Sequence, residues 1–565
     1  MSGGWGPKDL VFLPLGGAGE IGMNLNLYGH AGKWLMVDLG ITFPGEGQPG
    51  IDVITPDPSY IADRRQDLLG LVLTHAHEDH LGAVPYLWSS LRCPVYATPF
   101  SAAVLRGKLA EAGLLGEVPL TEVPLGARFK LGPFGIQFLS ITHSIPEPNA
   151  LVIRTPLGTI LHTGDWKLDP APVVGRPTEE AAFRAVGDEG VLALVCDSTN
   201  VFNPGHSGSE AALEEGLGRL VAGQSGRVAV TTFASNLARA QTVARVARAH
   251  DRQLAVVGRS LLRMLDCARA TGYADGLENV LSEAEGGHLP AGKALYLCTG
   301  CQGEPRGAMA RIAAGEHRHL YLERGDLAIF SSKVIPGNEA AIARVQNRLV
   351  EGGVRVIGEH DAFVHVSGHP CREELAQMYR WARPRIAVPV HGELRHLVEH
   401  AAFASSLQVP EAPVVRNGQV LRLAPGPAEV VEEVPAGRWY ADQDVLLPEG
   451  SGAVHERRKL MQSGGAQATL VLDHHAEPAA LPRLSLTGIA ARDPAALLRA
   501  GEAALADLLE DLPLAVLRDD ARLEEAARRA LHAVLRQNGA KRPLVTVQIV
   551  RLDAPGRSRR RGGRK

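Results

Sequence analysis

The run His-Ala-His-Glu-Asp-His at residues 75–80 constrains this chain more than any other segment. It follows residues 71–74, a short apolar run of the kind that forms a buried strand. Alternate side chains of an extended segment point the same way, so the first two histidines share one side, and the aspartate and third histidine follow where the chain bends. Such a density of nitrogen and oxygen donors predicts metal binding, with one pair for each of two neighbouring ions.

Further candidate ligands follow predicted strands elsewhere in the chain. His143 follows a strand over 136–141, Asp165 one over 159–162, and His391 one over 385–388. Because each lies in a loop after a strand, we expect all the donors to converge on one edge of a sheet. The seven candidates divide into two sites, His75, His77 and His143 for one and Asp79, His80 and His391 for the other, with Asp165 bridging them. Histidine and carboxylate without thiolate suit two divalent ions, Zn²⁺ first, with Mn²⁺ or Mg²⁺ as alternatives.

Composition bounds the class of protein. A chain of 565 residues is too long for one hydrophobic core, so several domains are expected. The net charge of −3 means that nucleic-acid binding would have to come from local basic patches. Six cysteines indicate no disulfide framework, and no apolar stretch approaches the roughly 20 residues that span a membrane. We therefore expect a cytoplasmic protein with no membrane partner.

The pattern of apolar runs changes along the chain. Short strands and helices typical of a layered α/β domain give way to longer β–α alternation, which predicts an open parallel sheet. Strand–loop–helix units with further histidines then return, so we infer that the second module is inserted into the first domain. The predicted divisions are 1–207 (first domain, first part), 208–353 (inserted domain), 354–430 (first domain, second part), 431–450 (linker), 451–556 (C-terminal α+β domain) and 557–565 (basic tail).

Several short motifs resemble one known group of enzymes. Besides residues 75–80, they are Leu-Gly-Gly-Ala-Gly-Glu-Ile-Gly at 15–22, Thr-His-Ser-Ile-Pro at 142–146, His-Thr-Gly-Asp at 162–165, Asp-Ser-Thr-Asn at 197–200, Thr-Phe-Ala-Ser-Asn at 232–236 and Val-Ser-Gly-His at 366–369. Together they resemble the metallo-β-lactamase superfamily, its β-CASP group and, most closely, the bacterial ribonuclease J family. The resemblance implies an α/β fold: a metallo-β-lactamase αββα sandwich with an inserted β-CASP α/β domain and a small α+β C-terminal domain.

The resemblance also implies a function. Enzymes of this kind hydrolyse RNA in mRNA decay and rRNA maturation, as 5′→3′ exonucleases that favour 5′-monophosphate ends and as endonucleases. The implied partners are single-stranded RNA with a 5′-monophosphate end, further copies of the chain in a homodimer or homotetramer, and components of an RNA-degradation complex.

Residue roles carry over motif by motif. Asp197 and His369 match positions assigned to proton transfer, and Asp79 is expected to combine a catalytic role with its role as a ligand. The loop that grips the scissile phosphate matches His365, Val366, Ser367, Gly368 and His369; a second phosphate-contacting loop matches Phe233, Ala234, Ser235 and Asn236. The end of that second loop also lies directly before a predicted helix over 237–250, where it would cap the helix and could bind phosphate.

Three other functions remain compatible with parts of the pattern. One is a β-CASP nuclease that acts on DNA, one is a catalytically silent scaffold for RNA processing, and one is a different metallo-hydrolase of the same superfamily. The complete ligand set argues against a silent scaffold. The inserted module and residues 366–369 argue against a different hydrolase, whereas DNA has to be tested directly.

Overall fold

The computed structural model describes residues 5–45 and 47–553. The basic tail at 557–565 therefore lies outside the described residues. The described part divides into two compact units, one of residues 5–43 and 53–446, and one of residues 44, 45, 47–52 and 447–553. None of the helices in this part of the chain has both the length and the apolar character needed to cross a bilayer.

The first stretch of the chain, to residue 197, is rich in strands. Its strands are β1 (Leu10–Gly16), β2 (Ala18–Gly19), β3 (Leu25–His30), β4 (Lys33–Val37), β5 (Val53–Pro56), β6 (Leu68–Val72), β7 (Val95–Ala97), β8 (Leu120–Glu122), β9 (Arg128–Leu131), β10 (Phe134–Ser140), β11 (Asn149–Thr155), β12 (Gly158–His162) and β13 (Ala193–Asp197). Its helices are α1 (Ser59–Ala62), α2 (Glu78–Leu81), α3 (Val84–Leu91), α4 (Pro99–Glu111) and α5 (Glu180–Glu189).

The middle stretch alternates strands and helices. It comprises α6 (Ala212–Val221), β14 (Val228–Thr231), α7 (Leu237–Ala249), β15 (Gln253–Val257), α8 (Arg259–Thr271), α9 (Glu283–Gly286), a short 3₁₀ helix (Ala291–Lys293), β16 (Ala294–Cys298), α10 (Ala308–Ala313), β17 (Leu327–Phe330), α11 (Glu339–Glu351) and β18 (Arg355–Ile357). The five strands form a parallel sheet of order β15-β16-β14-β17-β18. The predicted open parallel sheet is therefore present.

The remaining stretch completes the first unit and builds the second. It comprises α12 (Arg372–Ala382), β19 (Ile386–Val390), β20 (Gly392–Glu393), α13 (Leu394–Ser406), β21 (Gln419–Ala424), β22 (Glu429–Glu433), β23 (Arg438–Asp442), β24 (Val445–Pro448), α14 (Gly452–Ser463), β25 (Gly465–Leu472), β26 (Pro478–Thr487), α15 (Pro494–Asp511), α16 (Leu514–Leu517), α17 (Asp520–Gln537) and β27 (Leu544–Arg551). In the second unit β25 lies between β26 and β27, and apolar residues of α15 and α17 pack on that sheet.

Two sheets face each other in the first unit. The larger has the order β22-β21-β1-β3-β4-β6-β7-β8 and the smaller the order β19-β13-β12-β11-β10-β9. Phe12 and Tyr28 of the larger sheet share a buried core with Phe138 and Val388 of the smaller one. Helices α3 and α4 cover the outer face of the larger sheet, and α5, α12 and α13 cover that of the smaller, which makes a four-layer α/β/β/α sandwich.

The sandwich is assembled from distant parts of the sequence. Strand β13 pairs in parallel with β19, although the whole five-stranded parallel sheet lies between them in the chain. Because the two strands are neighbours in one sheet, the parallel-sheet module is an insertion into the sandwich.

Residues 431–450, the predicted linker, include the change from the first compact unit to the second after residue 446, and they also form strands. They contain the end of β22 together with β23 and β24, and β23 pairs antiparallel with β5. Tyr440 and Ala441 are buried. The prolines and glycines between residues 425 and 437 mark turns between paired strands, where the sequence pattern suggested a flexible connection.

Candidate metal centre

The six-residue run begins where β6 ends and becomes a single helical turn. His75 is fully buried just beyond the strand, and His77 occupies the N-cap position of α2. Asp79 and His80 lie within that turn. Gly40 makes the close approach of this turn possible, because a Cβ atom there would lie 1.7 Å from the backbone oxygen of Asp79.

Three histidines form the first group of candidate ligands. The distance from His77 Nδ1 to His75 Nε2 is 3.0 Å, and to His143 Nε2 it is 3.1 Å. His143 donates its Nδ1 hydrogen to the carbonyl oxygen of Gly368 at 2.6 Å, which leaves Nε2 with a free lone pair directed at His77. Burial holds the pKa of both His75 and His143 well below the usual range, so neutral imidazoles converge here.

The second group combines two histidines with a carboxylate. His80 donates from Nδ1 to Asp38 at 2.7 Å, and His391 pairs its Nδ1 with the side-chain oxygen of Asn24 at 3.1 Å. The Nε2 atoms of both rings therefore face Asp79, at 3.6 Å for His80 and 3.7 Å for His391. A hydrogen bond on the far nitrogen of this kind is how proteins usually orient a metal-binding imidazole.

Asp165 lies between the two groups. Its Oδ2 is 3.2 Å from His80 Nε2, 3.5 Å from His391 Nε2 and 3.9 Å from His75 Nε2, whereas its buried Oδ1 has no hydrogen-bond partner among the described residues. Burial alone would raise the pKa of Asp165, but the imidazoles of His391 and His80 outweigh it and hold that pKa well below its usual range. A buried carboxylate oxygen without a partner is costly unless a cation or donor binds it.

The donor set fits two divalent ions. Ligand atoms of His75, His77, His143 and Asp165 all lie within 4.8 Å of one another, as do those of Asp79, His80, Asp165 and His391. Burial would lower the pKa of His80, but the carboxylates of Asp165, Asp79 and Asp38 raise that pKa well above its usual range. The centre therefore stabilises positive charge, and divalent cations would supply that charge.

The seven candidate ligands do not come from one sheet edge. His75, His77, Asp79 and His80 follow β6 of the larger sheet, whereas the other three follow β10, β12 and β19 of the smaller sheet. The expectation of a single edge was wrong, because the two sheets pack face to face and their strand ends meet. The centre thus spans both sheets of the sandwich.

His369 and Asp197 form a pair beside this centre. His369 donates from Nδ1 to Asp197 Oδ2 at 2.8 Å, and its ring stacks on that of His391 with centroids 5.5 Å apart. Burial lowers the pKa of His369, but the charge of Asp197 outweighs burial and raises it to about 9. Thr199 donates its backbone N–H and its hydroxyl to the other oxygen of Asp197 at 2.8 Å and 2.7 Å. An imidazole oriented by Asp197, whose charge favours the protonated ring, therefore lies next to the candidate ligands.

The loop at 365–369 is held against the same centre. Asn200 donates its side-chain amide to Ser367 Oγ at 2.7 Å and to the carbonyl of His369 at 3.0 Å. Gly368 admits no side chain, since a Cβ atom would lie 2.8 Å from the His143 ring. Val366 is buried beside it. The loop can therefore approach the first histidine group closely.

His365 begins this loop in a cationic environment. Its Nδ1 is buried and has no hydrogen-bond partner in the described part of the chain. Burial, reinforced by the charges of Arg239, Lys333 and Lys167, lowers the pKa of His365 to about 3. Lys333 also approaches Asn200, with its Nζ 3.3 Å from the amide oxygen. Cations gathered beside the loop suit an anionic ligand.

The loop at 233–236 makes its hydrogen bonds with its own neighbours in sequence and not with the candidate metal ligands. Phe233, Ala234 and Ser235 are half-buried, and Asn236 caps α7 by accepting a hydrogen bond from the backbone N–H of Arg239. The other backbone bonds of the loop are local, from Asn236 to Phe233 and from residue 237 to Ser235. The predicted cap is present, and phosphate contact by this loop stays a prediction.

Some residues of the centre gave no signal in the sequence. Asn24 contacts His391 and also donates to the backbone oxygen of Asp79 at 3.0 Å. Gly17, in the glycine-rich run, has a φ of 85°, and a Cβ atom there would lie 2.3 Å from the Asn24 side chain. The run at 15–22 makes room for this asparagine, a role that spacing alone could not reveal. Sequence spacing alone could not reveal the positions of Arg239 and Lys333 near the loop at 365–369 either.

Comparison with known families places these features together. Four family models match successive parts of the chain: the metallo-beta-lactamase superfamily at residues 22–193, the ribonuclease J beta-CASP domain at 225–349, a Zn-dependent metallo-hydrolase RNA specificity domain at 353–408, and the ribonuclease J C-terminal domain at 452–552.

Individual relatives match over nearly the whole chain. Ribonuclease J of Sinorhizobium meliloti is 45% identical over 557 residues, covering 96% of this chain and 98% of the relative. Ribonuclease J of Mycolicibacterium smegmatis is 37% identical, covering 97% and 98%. A solved structure of a protein of unknown function from Enterococcus faecalis has a TM-score of 0.52 at 16% identity, covering 73% of this chain and 100% of that one, which supports the fold alone.

Proposed function

This chain belongs to the ribonuclease J family of metal-dependent ribonucleases, and we propose that it degrades RNA from the 5′ end, favouring 5′-monophosphate ends, with internal cleavage as a second mode. It binds RNA and requires divalent metal. The observation that carries the proposal is the meeting of two groups of donors, joined by Asp165, with the hydrogen-bonded pair of His369 and Asp197.

We assign the seven donors as the ligands of two ions. His75, His77 and His143 would hold one ion and Asp79, His80 and His391 the other, with Asp165 placed to contribute to either. Bound there, divalent ions supply positive charge to the phosphate oxygens and make water a better nucleophile. The nitrogen and carboxylate donors favour Zn²⁺ over Mn²⁺ and Mg²⁺, which metal analysis of the purified protein would test.

His369 is suited to protonate the leaving oxygen. Its Nδ1 hydrogen is occupied by Asp197, so Nε2 is the atom that can give a proton to the 3′-oxygen as the phosphodiester bond breaks. Asp197 orients the ring and stabilises its charged form, as the raised pKa of His369 indicates. Asp79, whose side chain is 30% exposed, combines its ligand role with contact to the reacting water.

Two loops are assigned to the substrate phosphates. The first is 365–369, where the hydroxyl of Ser367, the imidazole of His365 and the nearby Lys333 offer hydrogen-bond donors or positive charge. The second is 233–236, whose Asn236 begins α7; backbone N–H groups at a helix N-terminus attract phosphate. Together they would hold RNA between the sandwich and the inserted sheet.

The substrate and polarity are tested on labelled oligonucleotides. RNA carrying a 5′ label and either a monophosphate or a triphosphate end is digested, and matched DNA is digested beside it. Release of the labelled mononucleotide first, faster from the monophosphate end, supports the proposal. A ladder of internal products with no early mononucleotide would favour endonuclease action instead, and equal cleavage of DNA would argue against RNA as the specific substrate.

The cellular setting follows from the family resemblance. We propose that the substrates are cytoplasmic mRNA and rRNA precursors, and that the chain acts as a homodimer or homotetramer within an RNA-degradation complex. Light scattering coupled to size exclusion measures the assembly; a monomer at micromolar concentration would contradict that part of the proposal.

A further inference from the structure

A short turn after β13 joins the two sides of the candidate reaction centre. Thr199 donates its hydroxyl to Asp197 at 2.7 Å and also lies 3.2 Å from the carbonyl oxygen of His391. Asn200 donates to Ser367 and to the carbonyl of His369. The turn at 199–203 is thus fixed to the candidate ligand His391 on one side and to the loop at 365–369 on the other.

Phe202 projects from this fixed turn into solvent. Its side chain is 47% exposed, while the preceding Val201 is fully buried. The backbone is held on the far side as well, because the N–H of Arg372 donates to the carbonyl of Asn203 at 3.0 Å. Isolated exposed apolar residues are common, so exposure alone decides nothing. What distinguishes this ring is its rigid support next to the site.

Two residues of α13 complete the surroundings of the ring. His396 lies edge-on behind Phe202, with ring centroids 5.2 Å apart and planes at 65°. The guanidinium of Arg395 is 5.8 Å from the Phe202 centroid; its Nε donates to Glu393 at 3.0 Å, and its side chain is 66% exposed. An exposed aromatic ring beside a cation is the combination that proteins use to bind single-stranded nucleic acid, through base stacking and backbone attraction.

We propose that Phe202 stacks on a nucleobase of the bound RNA, in a nucleotide close to the scissile phosphate, with Arg395 near the adjacent backbone. This inference rests on the proposed function. Consecutive Cα atoms are about 3.8 Å apart, so the Cα of Phe202 lies within about 8 Å of that of Asn200. Because Asn200 itself contacts His369, the stacked base belongs within a few nucleotides of the cleaved bond.

Stacking on an aromatic ring predicts how RNA binding should depend on the base sequence of the RNA. Every base has a π-face, so the contact would tighten RNA binding with little preference among the four bases. Its loss would raise KM and leave kcat nearly unchanged, since the base does not react.

The test uses 5′-monophosphorylated RNAs that are intact or carry one abasic site at position 1, 2, 3 or 4. Release of the first nucleotide is measured for the wild type, Phe202→Ala, Phe202→Tyr and, as an exposed apolar control in β26, Leu481→Ala. On intact RNA, Phe202→Ala should raise KM about 5- to 150-fold, while Phe202→Tyr and Leu481→Ala should resemble the wild type. The penalty should vanish on one abasic substrate only. No penalty on intact RNA, or the same penalty on all abasic RNAs, would overturn the inference.

Binding separates this inference from the proposed function. The Kd for the same RNAs is measured by fluorescence anisotropy in chelator. If the wild type cleaves no RNA, the proposed function fails, yet the abasic pattern of Kd still decides whether a base stacks on Phe202. If the wild type cleaves normally and Phe202→Ala binds intact RNA equally well, only the stacking inference fails.

Discussion

Individual hydrogen bonds determine which nitrogen of each imidazole faces the metal centre. Asp38 holds His80, Asn24 holds His391 and the carbonyl of Gly368 holds His143, each through Nδ1. A carbonyl or carboxylate oxygen only accepts, so the opposite nitrogen of each ring is the one left to face a cation. Asn24 accepts through its amide oxygen and has the same effect. The ligand geometry is therefore set by residues that are not themselves ligands.

Removing one ligand should abolish activity without unfolding the chain. His77→Ala deletes the imidazole that lies 3.0 Å and 3.1 Å from two other candidate ligands. We expect less bound metal per chain and cleavage reduced more than about 100-fold, because even outer contacts of a metal site are worth 10- to 100-fold. Elemental analysis and RNA cleavage measure both effects. The exposed His206→Ala is the control, and full activity of His77→Ala would contradict the ligand assignment.

The proton donor should affect turnover more than binding. His369→Ala removes the imidazole oriented by Asp197, so we expect kcat to fall about 10²- to 10⁴-fold with little change in the Kd for RNA. Asp197→Asn should cause a smaller fall in kcat, since the ring stays but loses the charge that raises its pKa. Rapid-quench kinetics and anisotropy separate the two quantities. A parallel loss of kcat and affinity would show that His369 only positions the substrate.

At the level of secondary-structure elements, helix α7 connects three segments around the loop at 365–369. Arg239 is fully buried and pairs in bidentate fashion with Glu210, at 3.0 Å and 3.1 Å. Its other nitrogen donates to Ser331 after β17 and to the carbonyl of Val364, the residue before the loop at 365–369. A buried charge whose three nitrogens all make hydrogen bonds fixes the relative position of these elements.

Breaking this buried ion pair should lower the free energy of unfolding much more than breaking an exposed ion pair nearby. Glu210→Gln leaves a buried guanidinium without its counter-charge and should lower the free energy of unfolding by about 3–5 kcal/mol. Glu214→Gln breaks the half-exposed pair between Glu214 and Arg245, at 2.9 Å, and should cost less than about 1 kcal/mol. Urea titration of both variants measures the difference. Equal, small losses would contradict the structural role of Arg239.

Much of the site at this scale could be predicted, since each candidate ligand follows an apolar run that forms a strand. His143 after β10, Asp165 after β12 and His391 after β19 are all in loops. The sheet that carries each strand could not be predicted, because face-to-face packing depends on long-range contacts such as that between Phe12 and Phe138. Local pattern reports burial and period, and leaves pairing across hundreds of residues undetermined.

At the scale of the whole molecule, chain order and spatial order differ. Strands β13 and β19 are neighbours, yet the inserted parallel sheet separates them in sequence. The late position of His391 was the sequence signal for this insertion, since the predicted ligand role requires the chain to return. In the segment at 431–450, the glycines and prolines predicted a linker, but they lie between paired strands. Glycine and proline mark a change of direction, and cannot by themselves distinguish a turn from a linker.

Metal binding should stabilise the whole first unit. The unliganded centre gathers several carboxylates and imidazoles out of water, so ions that bind only the folded chain add stability by mass action. At about 100 times the Kd this amounts to about 2.7 kcal/mol, and we expect chelation to lower the Tm by roughly 3 °C. Differential scanning calorimetry with and without chelator measures the shift. An unchanged Tm in a sample shown to lose its metal would contradict metal binding within the folded sandwich.

This chain should cleave RNA with a centre built from its seven donors and divalent metal. The most direct measurement is release of nucleotide from 5′-monophosphorylated RNA by the protein before chelation, after chelation, and after Zn²⁺ or Mn²⁺ is returned. We predict that cleavage is lost with the metal and recovered when metal is returned to the wild type, while His77→Ala recovers none. Cleavage that continues at the same rate in the metal-free protein would contradict the account.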